Sequence, residues 1–162
     1  MLIRDATAAD VPSILAIYNE VLATTTAIYD ERPSSLEERA AWVEQRRQHG
    51  LPVLVALADG EVVGFSSFGE WRARPGYRYT VEHSVHVRAD RRRRGIGRAL
   101  LEALFPRAAG LGLHVMVGHI DAQMTASREL HRRLGFETVG IFREVGYKFD
   151  RWLDLVVVQR FI

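Results

Sequence analysis

Some residues in this chain are spaced for chemistry. The first group is a basic turn with a glycine pair, Arg91-Arg92-Arg93-Arg94-Gly95-Ile96-Gly97-Arg98. Small residues let a backbone approach a ligand without interference from Cβ. Guanidinium groups beside them bring charge and forked donors that suit phosphate. Next is Glu82, a carboxylate inside the β-branched run Thr80-Val81-Glu82-His83-Ser84-Val85-His86-Val87. Carboxylates rarely sit in such surroundings without a role, and one placed there suits a general base. The plainer alternative is a solvated or ion-paired strand carboxylate. Last comes His131, in Leu130-His131-Arg132-Arg133-Leu134-Gly135-Phe136. Imidazole exchanges a proton near neutral pH, although a purely structural histidine on a helix face fits the pattern equally well.

The elements that must position these residues follow from periodicity. Over 79–87, Tyr79, Val81, His83, Val85 and Val87 alternate with Thr80, Glu82, Ser84 and His86, the two-residue period of a strand. After Gly95 the period changes. Ile96, Ala99, Leu100, Ala103 and Leu104 form one apolar helical stripe. The turn between strand and helix sets the free N–H groups of a helix start beside the arginines, a seat for a pyrophosphate. A dinucleotide-binding Rossmann unit does not fit, because there is one glycine pair and no βαβ unit before it.

The rest of the chain supplies a scaffold. A strand at 2–4 is followed by a capping box, Thr7 to Asp10, and a helix to about Val21 with Pro12 in its first turn. Ser35 to Glu38 repeats the box and opens a second helix that Gly50 ends. Strands at 51–58 and 61–68 flank the hairpin turn Asp59-Gly60, and 70–78 is a loop turned by Pro75-Gly76. The run 113–120 is apolar enough for a strand buried on both faces. A short helix at 125–134 and strands at 137–144 and 152–160 complete one domain over 1–162, with no repeat and no linker.

Composition excludes several classes. With no cysteine there is no disulfide framework, thiolate nucleophile or cysteine-based metal site. No histidine pair has helical metal spacing with an acidic third ligand, so no metal is expected. No apolar run approaches the roughly 20 residues that span a bilayer. Met1-Leu2-Ile3-Arg4-Asp5 lacks a signal-peptide core. A cytoplasmic protein without a membrane partner is expected. Net charge is only +2, from 22 basic and 20 acidic residues, which gives no global attraction to nucleic acid. Arg91–Arg94 read as a nucleic-acid patch would also lack interleaved aromatic residues.

Arg92-x-x-Gly95-x-Gly97 resembles the R/Q-x-x-G-x-G/A acetyl-CoA signature of the GNAT N-acetyltransferase family. The segments 80–87, 130–136 and Gly146-Tyr147-Lys148-Phe149-Asp150-Arg151-Trp152 resemble its phosphinothricin and methionine sulfoximine acetyltransferase branch. That resemblance implies the α/β GNAT fold: a mixed, mostly antiparallel central sheet with flanking helices, splayed between strands 4 and 5. Pantetheine then enters the splay against the backbone of Val85 and Val87. The cosubstrate acetyl-CoA is held by Val85, His86, Val87, Arg92, Arg93, Arg94, Gly95, Ile96, Gly97, Arg98 and Ser127.

The resemblance further implies Glu82 as general base, direct or through one water, and the N–H of Val87 or its neighbour His86 as oxyanion donor. His131 stands where many members carry a tyrosine that protonates the leaving thiolate. One departure is Met124, where the family stretch has a cofactor-binding asparagine; Ser127 and Gln123 are left to compensate. For the acceptor, Arg72 and Arg74 offer guanidinium groups to a carboxylate. Tyr77 lies in the same loop, and Tyr29 and Trp71 would wall a methionine-like side chain; surface arginines and loop anchors are the plainer reading. The expected reaction is N-acetylation of a small amino acid analogue. A peptide N-terminus, a polyamine or a protein lysine is the alternative acceptor. Trp152 and the last strand are the expected seam of a homodimer.

Overall fold

The computed structural model describes residues 1–162. In chain order the elements are β1 (Leu2–Asp5), α1 (Val11–Thr24), α2 (Leu36–Gln48), β2 (Val53–Ala58), β3 (Glu61–Glu70), β4 (Thr80–Val87), α3 (Ile96–Gly110), β5 (Val115–Asp121), α4 (Thr125–Arg133), β6 (Glu137–Lys148) and β7 (Arg151–Phe161). The strands form one sheet in the order β1-β2-β3-β4-β5-β7-β6. Every neighbouring pair is antiparallel except β4 and β5, which run parallel. This is the mixed, mostly antiparallel architecture expected. No helix is long and apolar enough to cross a membrane.

The β4–β5 ladder is short: Thr80↔Val115, Val81↔Met116 and Glu82↔Val117. Beyond Glu82, β4 continues against β3 as far as Gly64↔Val87, while β5 continues against β7 as far as Asp121↔Leu155. A gap therefore opens between them. The Arg88 N–H donates to the Val63 carbonyl at 3.0 Å, and the Tyr79 carbonyl accepts from the His114 N–H at 2.9 Å. Backbone groups alternate sides along a strand, so Ser84 and His86 bond toward β3. Val85 and Val87 turn their N–H and C=O groups toward the gap.

Strand alternation also divides the core. On one face Ile14, Ile17 and Val21 of α1 and Trp42 of α2 cover Val53, Val55 and Phe65. On the other, Leu100, Leu101 and Leu104 of α3 cover Leu54, Ala56, Val63, Val81 and Met116. The helix starts are built as the capping boxes require. Ser35 N–H donates to the Glu38 carboxylate at 2.8 Å, and Glu38 N–H donates to Ser35 Oγ at 3.1 Å. The Thr7–Asp10 box instead opens a short 3₁₀ turn, so α1 starts at Val11 and runs on to Thr24. Arg4 grips Asp10 with two bonds and holds its carboxyl down to about 2.

The last hairpin is longer than its sequence pattern suggests. Gly146 lies past a register irregularity yet pairs with Leu153 and carries β6 on to Lys148. Lys148 is 1% exposed, and its ammonium donates to the carbonyls of Leu22, Thr25 and Ile28 at 2.6, 2.9 and 2.7 Å. Leu22 lies in the last turn of α1, where the helix dipole favours a cation. The Thr26 hydroxyl donates to the buried Asp121 carboxylate. Tyr29 lies against Gly146 so closely that any Cβ there would run into its ring. Together these contacts fix residues 25–29 over one mouth of the gap. Replacing Lys148 with Met leaves three carbonyls without their donor and should lower unfolding free energy by about 2–4 kcal/mol. Chemical denaturation checks this, and a wild-type midpoint would show that the loop is held by something else.

Candidate active site

The gap between β4 and β5 holds a cavity of about 400 Å³. Glu82, Ser84, His119 and Tyr29 line it on the α1/α2 face, and His83, Val85, Ser127 and His131 on the face of α3 and α4. Both alternating sets of β4 contribute, so the cavity passes through the sheet.

Glu82 is the last β4 residue paired with β5, and its Oε1 lies 2.7 Å from His119 Nδ1. A carboxylate only accepts, so Nδ1 carries the proton of that bond. His119 escapes a reading of 113–120 as an apolar strand buried on both faces. The signal that finds it is phase: Val117 pairs with Glu82, and His119 is the next residue along β5 on that same face. Tyr29 closes this side. Burial first, then the charges of Asp121 and Asp154, push its hydroxyl up to about 12, so it stays neutral.

On the opposite face His83 and His131 stack with centroids 5.0 Å apart, and Phe136 meets both rings edge-on. His131 Nδ1 lies 2.7 Å from the Ser127 carbonyl, which only accepts, so Nδ1 bears the proton. In the neutral ring Nε2 is then an acceptor, and it takes the His83 Nε2–H at 3.2 Å. Burial lowers the pKa of both rings, and His131 opposes the charging of His83. In this arrangement the His131 ring is neutral and its Nε2 accepts from His83.

The arginine–glycine turn forms a nest. Arg93 and Gly95 have φ of +62° and +79°, and α3 starts at Ile96. None of the backbone N–H groups from Arg93 through Arg98 has a partner in the protein. Such a row of free donors at a helix start is an anion site. A methyl group built on Gly97 would meet only Leu130 and Val87, at an ordinary 3.7 Å. Folding thus leaves room above this glycine that a ligand can use. Of the side chains, Arg91 is drawn off by Asp59, Glu61 and Asp90, and Arg98 by Glu102. Arg92 donates to the Val87 carbonyl at 3.1 Å. Arg93 and Arg94 remain exposed and free of ion pairs. Ile96 contributes its N–H alone, its side chain being buried in the core.

Other expected residues are placed differently. His86 turns its backbone to β3, which leaves Val87 as the N–H at the gap edge. Met124 lines the cavity and packs against the core, while the Gln123 side-chain carbonyl accepts from Arg151 at 3.0 Å. Trp71 lines neither cavity but packs edge-on against Tyr77, with Arg72 over its ring, so it forms no wall with Tyr29. Arg72, Arg74 and Tyr77 line a separate cavity of about 500 Å³ together with Arg46 of α2. The two cavities adjoin along β4, where Thr80 lines one and Glu82 the other. Arg46 was not legible as a site residue. Its guanidinium lies over Gly69, the cross-strand partner of Glu82, and its Nε is buried without a partner.

The profile of the family described as Acetyltransferase (GNAT) family matches residues 14–136. The chain belongs to the GNAT acetyltransferase family. It is 54% identical over 158 residues to the L-methionine sulfoximine/L-methionine sulfone acetyltransferase of Pseudomonas paraeruginosa, covering 97% of this chain and 92% of that one. A GNAT superfamily phosphinothricin acetyltransferase from Sinorhizobium meliloti, solved in complex with acetyl-CoA, superposes with a TM-score of 0.97 at 39% identity. That match covers 99% of this chain and 88% of that one. A ribosomal-protein-alanine N-acetyltransferase from Brucella melitensis superposes at 0.98 with 46% identity over 100% of both chains.

Within this GNAT domain the histidines couple stability to pH. His86 packs on Phe65 with centroids 5.1 Å apart, and its Nδ1 is buried without a partner. Burial, followed by the charges of Arg39 and Arg92, lowers its pKa to about 4. An unfolded histidine titrates near 6.5. Between those values the unfolded chain binds more protons than the folded one, so stability falls as pH falls from 6.5 toward 4. His83, also depressed, acts in the same direction. Urea unfolding at pH 7 and pH 5 should show that loss, and His86→Phe should reduce it. An equal loss in the variant would remove His86 as a source.

Proposed function

We propose that this protein N-acetylates a small amino acid analogue of the methionine sulfoximine, methionine sulfone or phosphinothricin type, with acetyl-CoA as donor. One observation carries the reading: a single cavity crosses the sheet, with an anion nest beside one mouth and Glu82 at the other. Acetyl-CoA supplies an acetyl group activated as a thioester. The free N–H groups of residues 93–98, with Arg92, Arg93 and Arg94, are the groups that would hold its phosphates. Val85 and Val87 offer the strand edge for its pantetheine arm, and Ser127 lines the same passage. The Val87 N–H is the donor for a developing oxyanion.

On the acceptor side the Glu82 end of the cavity takes the amine, which must lose its ammonium proton before it can attack. Transfer then forms one N–C bond and breaks one C–S bond. The second proton shed by nitrogen balances the departing thiolate, so no imidazolium at His131 is needed. Arg72, Arg74 and the half-buried Arg46 form a cationic wall next to Glu82 that suits the carboxylate of an amino acid. Tyr29 is the apolar side for its side chain. A peptide N-terminus, favoured by the name of the Brucella protein, lacks a carboxylate at that distance from its amine.

The exposed apolar side chains Val139, Ile141, Phe142, Val145, Tyr147 and Trp152 cluster on the β6–β7 edge hairpin, a seam for a homodimer. A cytoplasmic setting fits a reaction that consumes acetyl-CoA. Light scattering should give a dimer for the wild type and a monomer for Ile141→Glu; a wild-type monomer would discard the seam. For the reaction, thiol release is measured with methionine sulfoximine, methionine sulfone, phosphinothricin, a polyamine and an alanine-terminated peptide. Turnover should be confined to the first three, and Glu82→Gln should lower it about 10²–10⁴-fold while acetyl-CoA still binds. Turnover confined to the peptide would overturn the acceptor assignment.

A further inference from the structure

We infer that His119 is a catalytic residue of this reaction: its Nε2 takes the proton from the acceptor ammonium, and Glu82 holds and balances the ring. The inference rests on the proposed reading of the Glu82 mouth as the acceptor side. Glu82 and His119 come from opposite lips of the gap, β4 and β5, and meet at 2.7 Å. Because Nδ1 donates to the carboxylate, the basic nitrogen of the neutral ring is Nε2, and it has no protein partner. The side chain remains 26% exposed and lines the cavity with Tyr29.

The other imidazoles of the cavity cannot serve this way. His131 and His83 are bonded to each other on the far face, and His86 is packed under Phe65 and Tyr18. Chemistry favours the ring over the carboxylate as the proton acceptor. Imidazole is the side chain best suited to exchange a proton near neutral pH, which makes it the commonest general base. A carboxylate that fixes the tautomer of a histidine and offsets its charge is the arrangement by which such a base is made efficient.

The proton balance is simple. One proton leaves the ammonium nitrogen for Nε2, Glu82 stays ionised beside the resulting imidazolium, and the partly exposed ring edge returns the proton to solvent. The titratable groups around the ring are Glu82 and His83 on β4, Asp121 on its own strand and Tyr29 from the loop. Asp121 is occupied by Thr26, and His83 is neutral.

The test compares His119→Gln, Glu82→Gln and the double variant, reading kcat and KM for methionine sulfoximine, acetyl-CoA affinity and the pH profile of kcat/KM. His119→Gln should lower kcat about 10²-fold, leave acetyl-CoA affinity unchanged and displace the acid limb of the profile. The double variant should fall little further than either single one, because the two groups act as a unit. Should His119→Gln fold poorly, His119→Ala with added imidazole replaces it, and recovery of rate is expected. A His119→Gln rate and acid limb like wild type, beside an inactive Glu82→Gln, would overturn the inference and leave Glu82 as the base. Absence of imidazole rescue in a folded, acetyl-CoA-binding His119→Ala would overturn it as well. Glu82→Gln with wild-type activity would instead remove the reading on which it rests.

Discussion

The end of the β4–β5 ladder at Glu82 is the constraint on which the rest of the structure depends. Each strand has a full antiparallel partner on its outer side, β3 for β4 and β7 for β5. Neither can relax toward the other without losing those bonds. Beyond Glu82 the inner edges are thus held apart, with unpaired backbone groups that attract any strand-like ligand. The opening is also propped. His83 lies directly over Gly118 of β5, where a Cβ would be 2.7 Å from its Nε2, and it is stacked in turn on His131 and met edge-on by Phe136. Imidazoles here act as a wedge, and their neutrality is what lets them be buried.

From that opening follows a separation of charge between the faces. The α3 face gathers free N–H donors and arginines that make no ion pair. Nearby Asp59, Glu61 and Asp90 take Arg88 and Arg91 out of the set, so the cationic part of the turn is narrower than the run of arginines suggests. The α1/α2 face carries the paired Glu82 and His119, a neutral Tyr29 and, one strand over, Arg46. On the proposed reading, two reactants of different charge enter from different sides of one sheet and meet where the backbone is missing a neighbour.

Much of this was legible in the sequence because its signals are local. A two-residue period at 79–87 and a helical stripe from Ile96 place Glu82 and the glycine turn with no tertiary information, and the capping residues Ser35 and Glu38 bond as their spacing requires. What escaped depends on contacts between distant elements. His119 meets Glu82 across 37 residues of chain, and the pattern 113–120 gives no reason to single it out. Trp71 belongs to the expected loop, yet its edge-on contact with Tyr77 and the Arg72 guanidinium over its ring draw it elsewhere. Gly146 resembles a strand breaker, but Tyr29 needs its bare backbone, so β6 passes through it. The tautomer of His131 is set by the Ser127 carbonyl and is not written in residue type.

Lys148 is the sole lysine of the chain, and its ammonium is enclosed by three carbonyls. The protein therefore presents no lysine amine to the solvent. For a catalyst that handles an activated acetyl group, this leaves no surface lysine to be acetylated by its own donor. Reagents that target lysine amines should likewise find none on the surface of the native fold.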